Sequence, residues 1–379
     1  MKIIGVICEY NPFHNGHARQ LAFMKTAGAS LCLMSGNYVQ RGEPALCDKL
    51  IRAEAAVNCG ADLVLELPVT YALRSAEGFA DGGVEILSRL GCVDSLCFGS
   101  ESGNERALQA IAEALRTEEF SFELKKQLSR GLSFPSARQR VAETFGLDGS
   151  LLQSPNDILA VEYCKALLKQ NCAMKPMVIR RDGSYHESMK KKTPSASKLR
   201  GMENWEGYMP QKALDVQSGT SRHSLQAGQR AMLARLRAMA EEEFEALPFG
   251  GEGLWRKLMR ACYEQNTLED ILKAAKSKRY THTRLSRMLL CAFLGISEKQ
   301  MGQEVPYVRI LAMNEQGGKI LGQIRQNGKI GLVHAGEKPP QCDYAVLERR
   351  AEAMYGLFCE DAVEPANRRE KVRYCGRGH

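Results

Sequence analysis

Two histidines stand three residues apart near the N-terminus, in the sequence Asn11-Pro12-Phe13-His14-Asn15-Gly16-His17. They follow an apolar run at residues 3–8 and precede an apolar pattern typical of a helix. Imidazoles three residues apart at a helix start lie on one face, beside backbone N–H groups without partners inside the helix. Such a position binds anions, and Gly16 lets a phosphate approach the backbone. The pattern predicts a phosphate site, with a nucleoside triphosphate as ligand.

Two other interpretations of these histidines stay open on the residues alone. A pattern of two histidines and a glycine also arises by chance at a surface helix start. Zinc is the second alternative, because imidazole is a common zinc ligand, but two histidines without a nearby third ligand support it poorly. The phosphate interpretation is favoured by the strand before the motif, the helix after it, and a second site-like segment at residues 194–200.

The composition is that of an ordinary globular protein, with 379 residues of which 44% are hydrophobic and 25% charged. This length predicts two or three domains. The apolar stretch at residues 288–296 is too short to span a bilayer, and the chain starts with a strand pattern instead of a basic and apolar leader. Thirteen cysteines include no Cys-x-x-Cys pair, and we assign them no redox or metal role. We expect a cytoplasmic protein without a membrane partner and without a metal site of its own.

Basic residues are clustered, although the net charge of +8 is modest for this length. The segment 273–287 carries six basic residues, one tyrosine and one histidine, and no acidic residue. Further clusters are Lys190 to Lys192 with Lys198 and Arg200, and the tail from Arg368 to Arg377. Each cluster alone is typical of a solvated charged face. Three of them around a nucleotide-type site favour a polyanion such as RNA.

The elements that must position the histidines alternate between strand and helix over the first hundred residues. Strands are predicted at 2–8, 30–35, 62–67 and 95–98, and helices at 16–27, 49–59 and 76–90. This series predicts a doubly wound α/β domain with a parallel sheet. Ligands bind such sheets beyond the carboxyl ends of the strands. Residues 9–17, 35–44, 66–68 and 99–103 should therefore converge on one crevice.

The rest of the chain is predicted to be mainly helical. Helices are expected at 105–115, 120–131, 136–145 and 157–168, with Ser154 as N-cap and Pro155 as first residue of the last. A further strand is expected at 177–179 and a helix start at 194–200. The composition changes near 201–222, after which helices are expected at 225–247, 253–264 and twice within 267–294. Segments 307–312 and 318–321 predict a strand and a turn before a final helix at 344–355.

The His-x-Gly-His motif together with Ser195-x-Ser197-x-x-Arg200 resembles the paired motifs of the HxGH nucleotidyltransferase superfamily. A narrower resemblance, to the bacterial tRNA(Met) cytidine acetate ligase family, rests on strings spread over most of the chain. They are Glu9 to His17, Met34-Ser35-Gly36, Gln40 to Ala45, Glu66-Leu67-Pro68, Phe98-Gly99-Ser100-Glu101, Ser154 to Leu159 and Lys276 to Arg284. Pro194, Ser197 and Asp182-Gly183-Ser184 depart from the usual pattern of that family.

The resemblance implies a nucleotidyltransferase (HUP-like) domain at 1–205 and a basic, mainly helical tRNA-binding region at 206–379. It implies that ATP and acetate acetylate the exocyclic amine of the wobble cytidine of elongator tRNA(Met) through an acetyl-adenylate, giving N4-acetylcytidine, AMP and pyrophosphate. Mg²⁺ is expected as the counterion of ATP. By position, the ATP-binding residues are Ile7, Cys8, Glu9, Tyr10, Asn11, Pro12, Phe13, His14, Asn15, Gly16, His17, Ala18, Arg19, Gln20, Gly99, Asn156, Arg180 and Arg181.

The catalytic residues carried over by position are His14, His17, Ser197 and Arg200. We expect RNA contacts from Lys276, Lys278, Arg279, Arg284 and Arg287. Glu101, Asp157 and the histidines are candidates for the base that accepts the amine proton, and the sequence does not choose among them. A small-molecule adenylyltransferase and a non-catalytic tRNA-binding protein are the alternative functions. The sequence determines neither the oligomeric state nor the acyl group.

Overall fold

The computed structural model describes residues 1–181, 196–277, 280–360 and 372–375. Its strands are β1 Ile3–Cys8, β2 Ala29–Ser35, β3 Tyr38–Val39, β4 Glu43–Pro44, β5 Leu63–Leu67, β6 Ser95–Ser100, β7 Lys175–Arg180, β8 Tyr307–Met313, β9 Gly331–His334 and β10 Arg373–Tyr374.

The helices of the N-terminal half are α1 Asn15–Lys25, α2 Lys49–Asn58, α3 Val69–Ala72, α4 Ala76–Arg89, α5 Glu105–Ala114, α6 Glu118–Ser129, α7 Phe134–Thr144, α8 Pro155–Lys169 and α9 Ala196–Arg200. Those of the C-terminal half are α10 Gln211–Gln217, α11 Leu225–Arg237, α12 Glu241–Glu245, α13 Leu254–Glu264, α14 Leu268–Ala275, α15 His282–Leu294, α16 Glu298–Met301, α17 Glu315–Asn327 and α18 Asp343–Tyr355. In the part of the chain that the structure describes, 3₁₀ helices lie at Gly149–Leu152 and Gly356–Phe358. No helix among these is long and apolar enough to cross a membrane.

The main sheet has the strand order β10-β8-β5-β2-β1-β6-β7, with β9 paired to β8. Strands β5, β2, β1, β6 and β7 are mutually parallel. Every residue of β1, β2 and β5 is buried, as expected for apolar strands covered by helices on both faces. The prediction of a doubly wound α/β domain is confirmed. The chain order reverses between β1 and β6, which places a ligand crevice beyond the carboxyl ends of these two strands.

The C-terminal half supplies part of this sheet. Strand β8 pairs antiparallel with β5, while β9 and β10 pair parallel with β8. The predicted boundary between residues 205 and 206 therefore does not separate the sheet from the rest of the chain. The turn predicted at 318–321 is wrong, because this segment lies inside α17. The side chain of Asn314 caps that helix, and Ile320, Leu321 and Ile324 bury one face of it at helical spacing.

A second hydrophobic cluster lies among the C-terminal helices α11 to α15, α18 and the 3₁₀ helix that ends at Phe358. The helix predicted at 225–247 is divided into α11 and α12. Two tyrosine hydroxyls join this region to the loops of the sheet. Tyr38 donates to the carbonyl of Ala351, and Tyr355 donates to the carbonyl of Ala45, both at 2.8 Å. Helix α18 is thereby fixed against the β3–β4 hairpin at the crevice.

Candidate active site

The loop that carries the histidines is buried at the carboxyl end of β1. Asn11 is 2% exposed, and its side-chain oxygen accepts the backbone N–H of Leu46 at 2.8 Å. The backbone N–H of Phe13 donates to the side chain of Gln217 at 3.3 Å. These contacts, from segments far apart in sequence, hold the loop in one conformation before α1 begins.

His14 is the N-cap residue of α1. Its Nδ1 accepts the backbone N–H of Gly16 at 3.0 Å, and Nδ1 of His17 accepts the backbone N–H of His14 at 3.3 Å. The two rings are stacked, with 3.8 Å between their centres. A Cβ atom at Gly16 would lie 2.8 Å from the His14 ring, so glycine is needed here for the cap as well as for ligand approach.

The capping geometry also fixes the tautomer of both imidazoles. Because each Nδ1 accepts a hydrogen bond, each neutral ring carries its proton on Nε2. Burial lowers the pKa of His14 to about 4, helped by the charges of Arg181 and Arg19. Burial, His14 and Arg181 likewise lower the pKa of His17 well below its ordinary value. At neutral pH both histidines are therefore neutral Nε2–H donors.

Arg52 ties the ends of β1 and β2 together, and the sequence analysis missed it. This side chain is fully buried, and among the described residues its guanidinium donates to four backbone carbonyls and to no carboxylate. The acceptors are the carbonyls of Glu9, Ser35, Gly36 and Cys47. The available signal was a basic residue on the apolar face of a helix, next to Ala53 and Ala56.

The other side of the crevice is formed where β6 ends and α8 begins. Ser154 is the N-cap residue of α8 and Pro155 its first residue, as predicted, but the Ser154 side chain makes no capping hydrogen bond. Glu101 supplies it instead, accepting the backbone N–H groups of Asn156 and Asp157 at 3.3 and 2.8 Å. The carboxylate of Asp157 accepts from the hydroxyl and backbone of Ser102. Both candidate bases are thus bound by groups of the protein itself.

Arg181 joins this side to the histidines. It directly follows β7, and its guanidinium donates to the side-chain oxygen of Asn156 at 3.3 Å. A Cβ atom at Gly99 would lie 3.2 Å from the Arg181 side chain, so glycine leaves room for the arginine across β6. Since Arg181 also lowers the pKa of both histidines, the structure brings Gly99, Asn156 and Arg181 to the histidine motif.

The second motif reaches the same loop from α9. Arg200 donates to the backbone carbonyl of Asn11 at 3.2 Å and lies 3.9 Å from a carboxylate oxygen of Glu43. Ser197 is exposed, and its hydroxyl lies 3.5 Å from the Arg200 guanidinium. Pro194, Ser195 and residues 182–184 lie outside the described residues. Within the described part, the two halves of the paired motif meet at one loop.

Comparison with protein families gives a match to the HIGH Nucleotidyl Transferase model over residues 1–371. A tRNA(Met) cytidine acetate ligase of Halothermothrix orenii is 38% identical, over 88% of this chain and 87% of its own length. The ligase of the same name from Clostridium acetobutylicum is 36% identical, over 88% of this chain and 90% of its own. The chain belongs to the tRNA(Met) cytidine acetate ligase family. The resemblance carried by the sequence motifs is confirmed.

Solved structures agree with this membership. The crystal structure of Thermotoga maritima TmcAL bound with alpha-thio ATP is 29% identical and has a TM-score of 0.88, covering 99% of this chain and 100% of that one. The apo form of the same Thermotoga maritima protein has a TM-score of 0.89 with the same coverage. The nucleotidyltransferase fold expected from the motifs is therefore shown.

The predicted RNA-binding residues of this family member are divided between surface and interior. Lys276 is exposed, whereas Lys278 and Arg279 lie outside the described residues. Arg284 donates to the carbonyl of Phe249, and Arg287, which is 9% exposed, donates to the carbonyl of Gln40 at 3.3 Å. Burial lowers the pKa of Arg287 to about 10. Arg287 thus anchors α15 beside the crevice, and its contact with RNA stays a prediction.

The low pKa of His14 predicts a pH-dependent stability. An unfolded histidine titrates near 6.5, so between pH 6.5 and about 4 the unfolded chain binds a proton that folded His14 does not. The contribution of neutral His14 to the free energy of unfolding is complete above pH 6.5. It falls by about 3 kcal/mol as pH falls towards 4. Urea denaturation of the parent and of His14→Asn at pH 7 and pH 4.5 measures it, as the difference between the two chains in how stability changes with pH. An NMR titration of His14 with a midpoint near 6.5 would contradict the assignment.

Proposed function

We propose that this protein joins acetate to the exocyclic amine of the wobble cytidine of elongator tRNA(Met), using ATP and an acetyl-adenylate intermediate. The observation that carries the proposal is the meeting of two neutral histidines with Arg181 and Arg200 at the end of β1. This arrangement occurs in a chain that matches cytidine acetate ligases over nearly their full length. It has the donors that an anionic triphosphate requires.

In the first step, a carboxylate oxygen of acetate attacks the α-phosphorus of ATP, and the bond to the pyrophosphate oxygen breaks. No general base is needed, because a carboxylic acid with a pKa of roughly 4 is already ionised. The Nε2–H groups of His14 and His17, at the positive end of the α1 dipole, would stabilise the charge that develops on the phosphates. The first amides of α1 are already bound, Asn15 N–H to the carbonyl of Tyr208 and Gly16 N–H to Nδ1 of His14. Ser197, Lys198 and Arg200 would bind the β- and γ-phosphates from the opposite side.

The residues proposed to bind ATP are those that the family resemblance implies. They are residues 7–20 with Gly99, Asn156, Arg180 and Arg181. Of the two arginines, Arg181 contacts Asn156, while Arg180 packs beside Gly103, where a Cβ atom would lie 2.8 Å from its side chain. We therefore expect the larger loss of ATP affinity from replacing Arg181.

In the second step, the cytidine amine attacks the acetyl carbon, the bond from that carbon to the AMP oxygen breaks, and the nitrogen loses a proton. The histidines are poor acceptors for that proton, because their Nδ1 atoms are bound and their Nε2 atoms already carry hydrogen. Glu101 and Asp157 each accept backbone N–H groups. We assign the histidines to charge stabilisation and name no general base.

We further propose that Mg²⁺ accompanies ATP. Magnesium is commonly held by substrate phosphates with one or two carboxylates, so no dedicated protein cage is required. The described residues contain no group of three or more His, Cys, Asp or Glu side chains that could hold an ion. Residues 206–379 are proposed as the tRNA-binding region, in addition to the three strands that they contribute to the sheet. All thirteen cysteines are free, which supports a cytoplasmic location.

The test is acetate-dependent exchange of pyrophosphate into ATP without tRNA, followed by transfer of labelled acetate to total bacterial tRNA. We expect label in a cytidine of tRNA(Met), with AMP and pyrophosphate released. His17→Ala should lose both reactions, and His334→Ala, a histidine on the distant strand β9, should retain both. Exchange without transfer would leave the nucleotidyltransferase and reject the acceptor. AMP retained in a small product would indicate an adenylyltransferase, and tRNA binding without ATP consumption a non-catalytic protein.

A further inference from the structure

A helical hairpin beside the crevice carries charge that the proposed mechanism does not use. Helices α6 and α7 lie between β6 and α8, outside the basic segments identified from the sequence. Residues 124–142 contain Lys125, Lys126, Arg130, Arg138 and Arg140 and no acidic residue. We call residues 124–142 the hairpin tip. Its net charge of five positive units makes it complementary to an anion.

Most of this charge is available to a partner. Lys126 pairs with Glu123 at 3.1 Å, and Arg138 pairs with Glu162 at 2.8 Å. For the side chains of Lys125, Arg130 and Arg140, all exposed, the structure gives no hydrogen bond or ion pair within the residues that it describes.

The hairpin tip also presents apolar side chains to solvent. Phe134 is 54% exposed at the first position of α7, and Leu128 is 36% exposed at the end of α6. The guanidinium carbon of Arg138 lies 5.7 Å from the centre of the Phe134 ring. An exposed aromatic ring on the same hairpin as exposed cations is a combination that binds single-stranded nucleic acid, because bases stack on the ring while cations follow the phosphates.

The hairpin tip is fixed next to the proposed active site. Gln153, two residues before α8, donates to the side chain of Gln139 on α7 at 2.7 Å. The Arg138–Glu162 pair holds α7 against the second turn of α8. The first turn of α8 contains Asn156, which accepts from Arg181 beside the histidines. A tRNA whose target base enters the crevice from this side therefore passes the hairpin tip.

We propose that the hairpin tip binds the tRNA substrate, with Lys125, Arg130 and Arg140 on phosphates and the Phe134 ring against an unpaired base. This inference rests on the proposed function for the identity of the RNA. It adds a second RNA-binding surface, on the opposite side of the crevice-forming strands from α15. The five cations favour RNA over a second copy of the chain as the occupant.

The test combines two variants of the hairpin tip with matched controls. Lys125→Glu/Arg130→Glu reverses two charges, and Lys2→Glu/Lys175→Glu makes the same change on exposed positions at the amino ends of β1 and β7, away from the crevice and outside residues 206–379. Phe134→Leu removes the ring but keeps an apolar side chain, while Phe134→Tyr keeps the ring. KM for tRNA and the salt dependence of tRNA binding are measured together with acetate-dependent pyrophosphate exchange in the absence of tRNA.

We expect Phe134→Leu to raise the KM for tRNA about tenfold and Phe134→Tyr to stay near the parent. The double charge reversal should reduce the slope of log K against log salt by about 2, and the Lys2→Glu/Lys175→Glu control should not change it. Pyrophosphate exchange should stay unchanged in all four variants, which also shows that they fold. Unchanged KM and slope in both hairpin variants, or equal changes in the Lys2→Glu/Lys175→Glu control, would overturn the proposal.

Two further outcomes separate this inference from the proposed function. If the parent protein binds tRNA but transfers no acetate, and the hairpin variants lose tRNA binding, the hairpin tip is an RNA-binding surface and the proposed reaction fails. If the parent transfers acetate and Phe134→Leu instead converts a dimer to a monomer with tRNA affinity unchanged, the exposed ring belongs to a contact between two copies. That second result overturns the RNA assignment.

Discussion

Replacing His14 by asparagine should lower the rate of acetate-dependent pyrophosphate exchange about 100- to 1,000-fold, without loss of stability. The asparagine side-chain oxygen takes the position of Nδ1 and can accept the N–H of Gly16, as His14 does at 3.0 Å. The Nε2–H donor is absent from the shorter side chain. Removing one preorganised donor from developing charge costs about that factor in rate. This variant keeps the cap of α1 and loses the donor, together with the stacking of the ring on His17.

The reciprocal substitution is His14→Gln. The longer amide places an N–H group near the position of Nε2 but has no acceptor at the position of Nδ1, so the cap of α1 is lost. We expect His14→Gln to retain more exchange activity than His14→Asn while being less stable by about 1 kcal/mol. Pyrophosphate exchange and urea denaturation at pH 7.5 measure the two effects separately. If activity follows stability across both variants, His14 is a structural cap and not a phosphate donor.

The parts of this site that follow from short sequence spacing could be predicted. The histidine motif, the strand before it and the alternating strands and helices are all local patterns. The crevice at the reversal of strand order then follows from general rules for parallel sheets. The contact between Arg200 and the Asn11 carbonyl confirms that two motifs 189 residues apart lie together, which the family resemblance implied and spacing alone did not.

The parts that depend on distant pairing could not be predicted. Strand β8 joins the sheet beside β5, more than two hundred residues earlier, and no local pattern determines that partner. Lys49 and Arg52 are both buried, and although the apolar face of α2 signals the burial of Arg52, the sequence shows the partner of neither. The acceptors of Arg52 are carbonyls of three separate loops, and Lys49 pairs with a residue of α18. A single sequence shows a charge but not its partner.

That partner makes Lys49 the second residue with a large expected effect. Its ammonium group is 2% exposed and lies 3.1 Å from a carboxylate oxygen of Glu66 and within hydrogen-bond distance of Glu352. Lys49→Met leaves the buried carboxylate of Glu66 and the partly buried carboxylate of Glu352 without this cation, which typically costs about 3–5 kcal/mol. Lys25→Met is the control, because Lys25 is half exposed and its partner Asp62, at 3.5 Å, keeps hydrogen bonds from Ser30 and Asn314 when the lysine is removed. With its ammonium group in contact with water, Lys25 should contribute no more than about 1 kcal/mol.

The loss in Lys49→Met should also depend on pH. Burial raises the pKa of Glu66 to about 7, with Lys49 opposing the rise and Glu348 and Glu352 adding to it. Between the unfolded value near 4.5 and this value, folded Glu66 holds a proton that the unfolded chain has lost, so stability falls as pH rises through the window. Without Lys49 the pKa rises further and the window extends upward.

The destabilisation by Lys49→Met should therefore be larger at pH 8 than at pH 6. At pH 6 Glu66 is readily protonated, whereas at pH 8 it must either be buried as a charged group or take up a proton, and both cost free energy. Adding Glu66→Gln to Lys49→Met removes the titrating group and should restore part of the stability at pH 8 and little at pH 6. Urea denaturation of four chains, the parent, Lys49→Met, the double variant and Lys25→Met, at both pH values decides this. A loss equal to that of Lys25→Met, or one independent of pH, would show that Glu66 is not held by Lys49.

His14 acts with the opposite sign, since its contribution to the free energy of unfolding is lost as pH falls. The effects of His14 and Glu66 on stability therefore partly cancel in the parent between pH 4.5 and 6.5. The parent's flatter profile thus conceals two buried groups at opposite sides of β2, one in the site and one joining the sheet to α18.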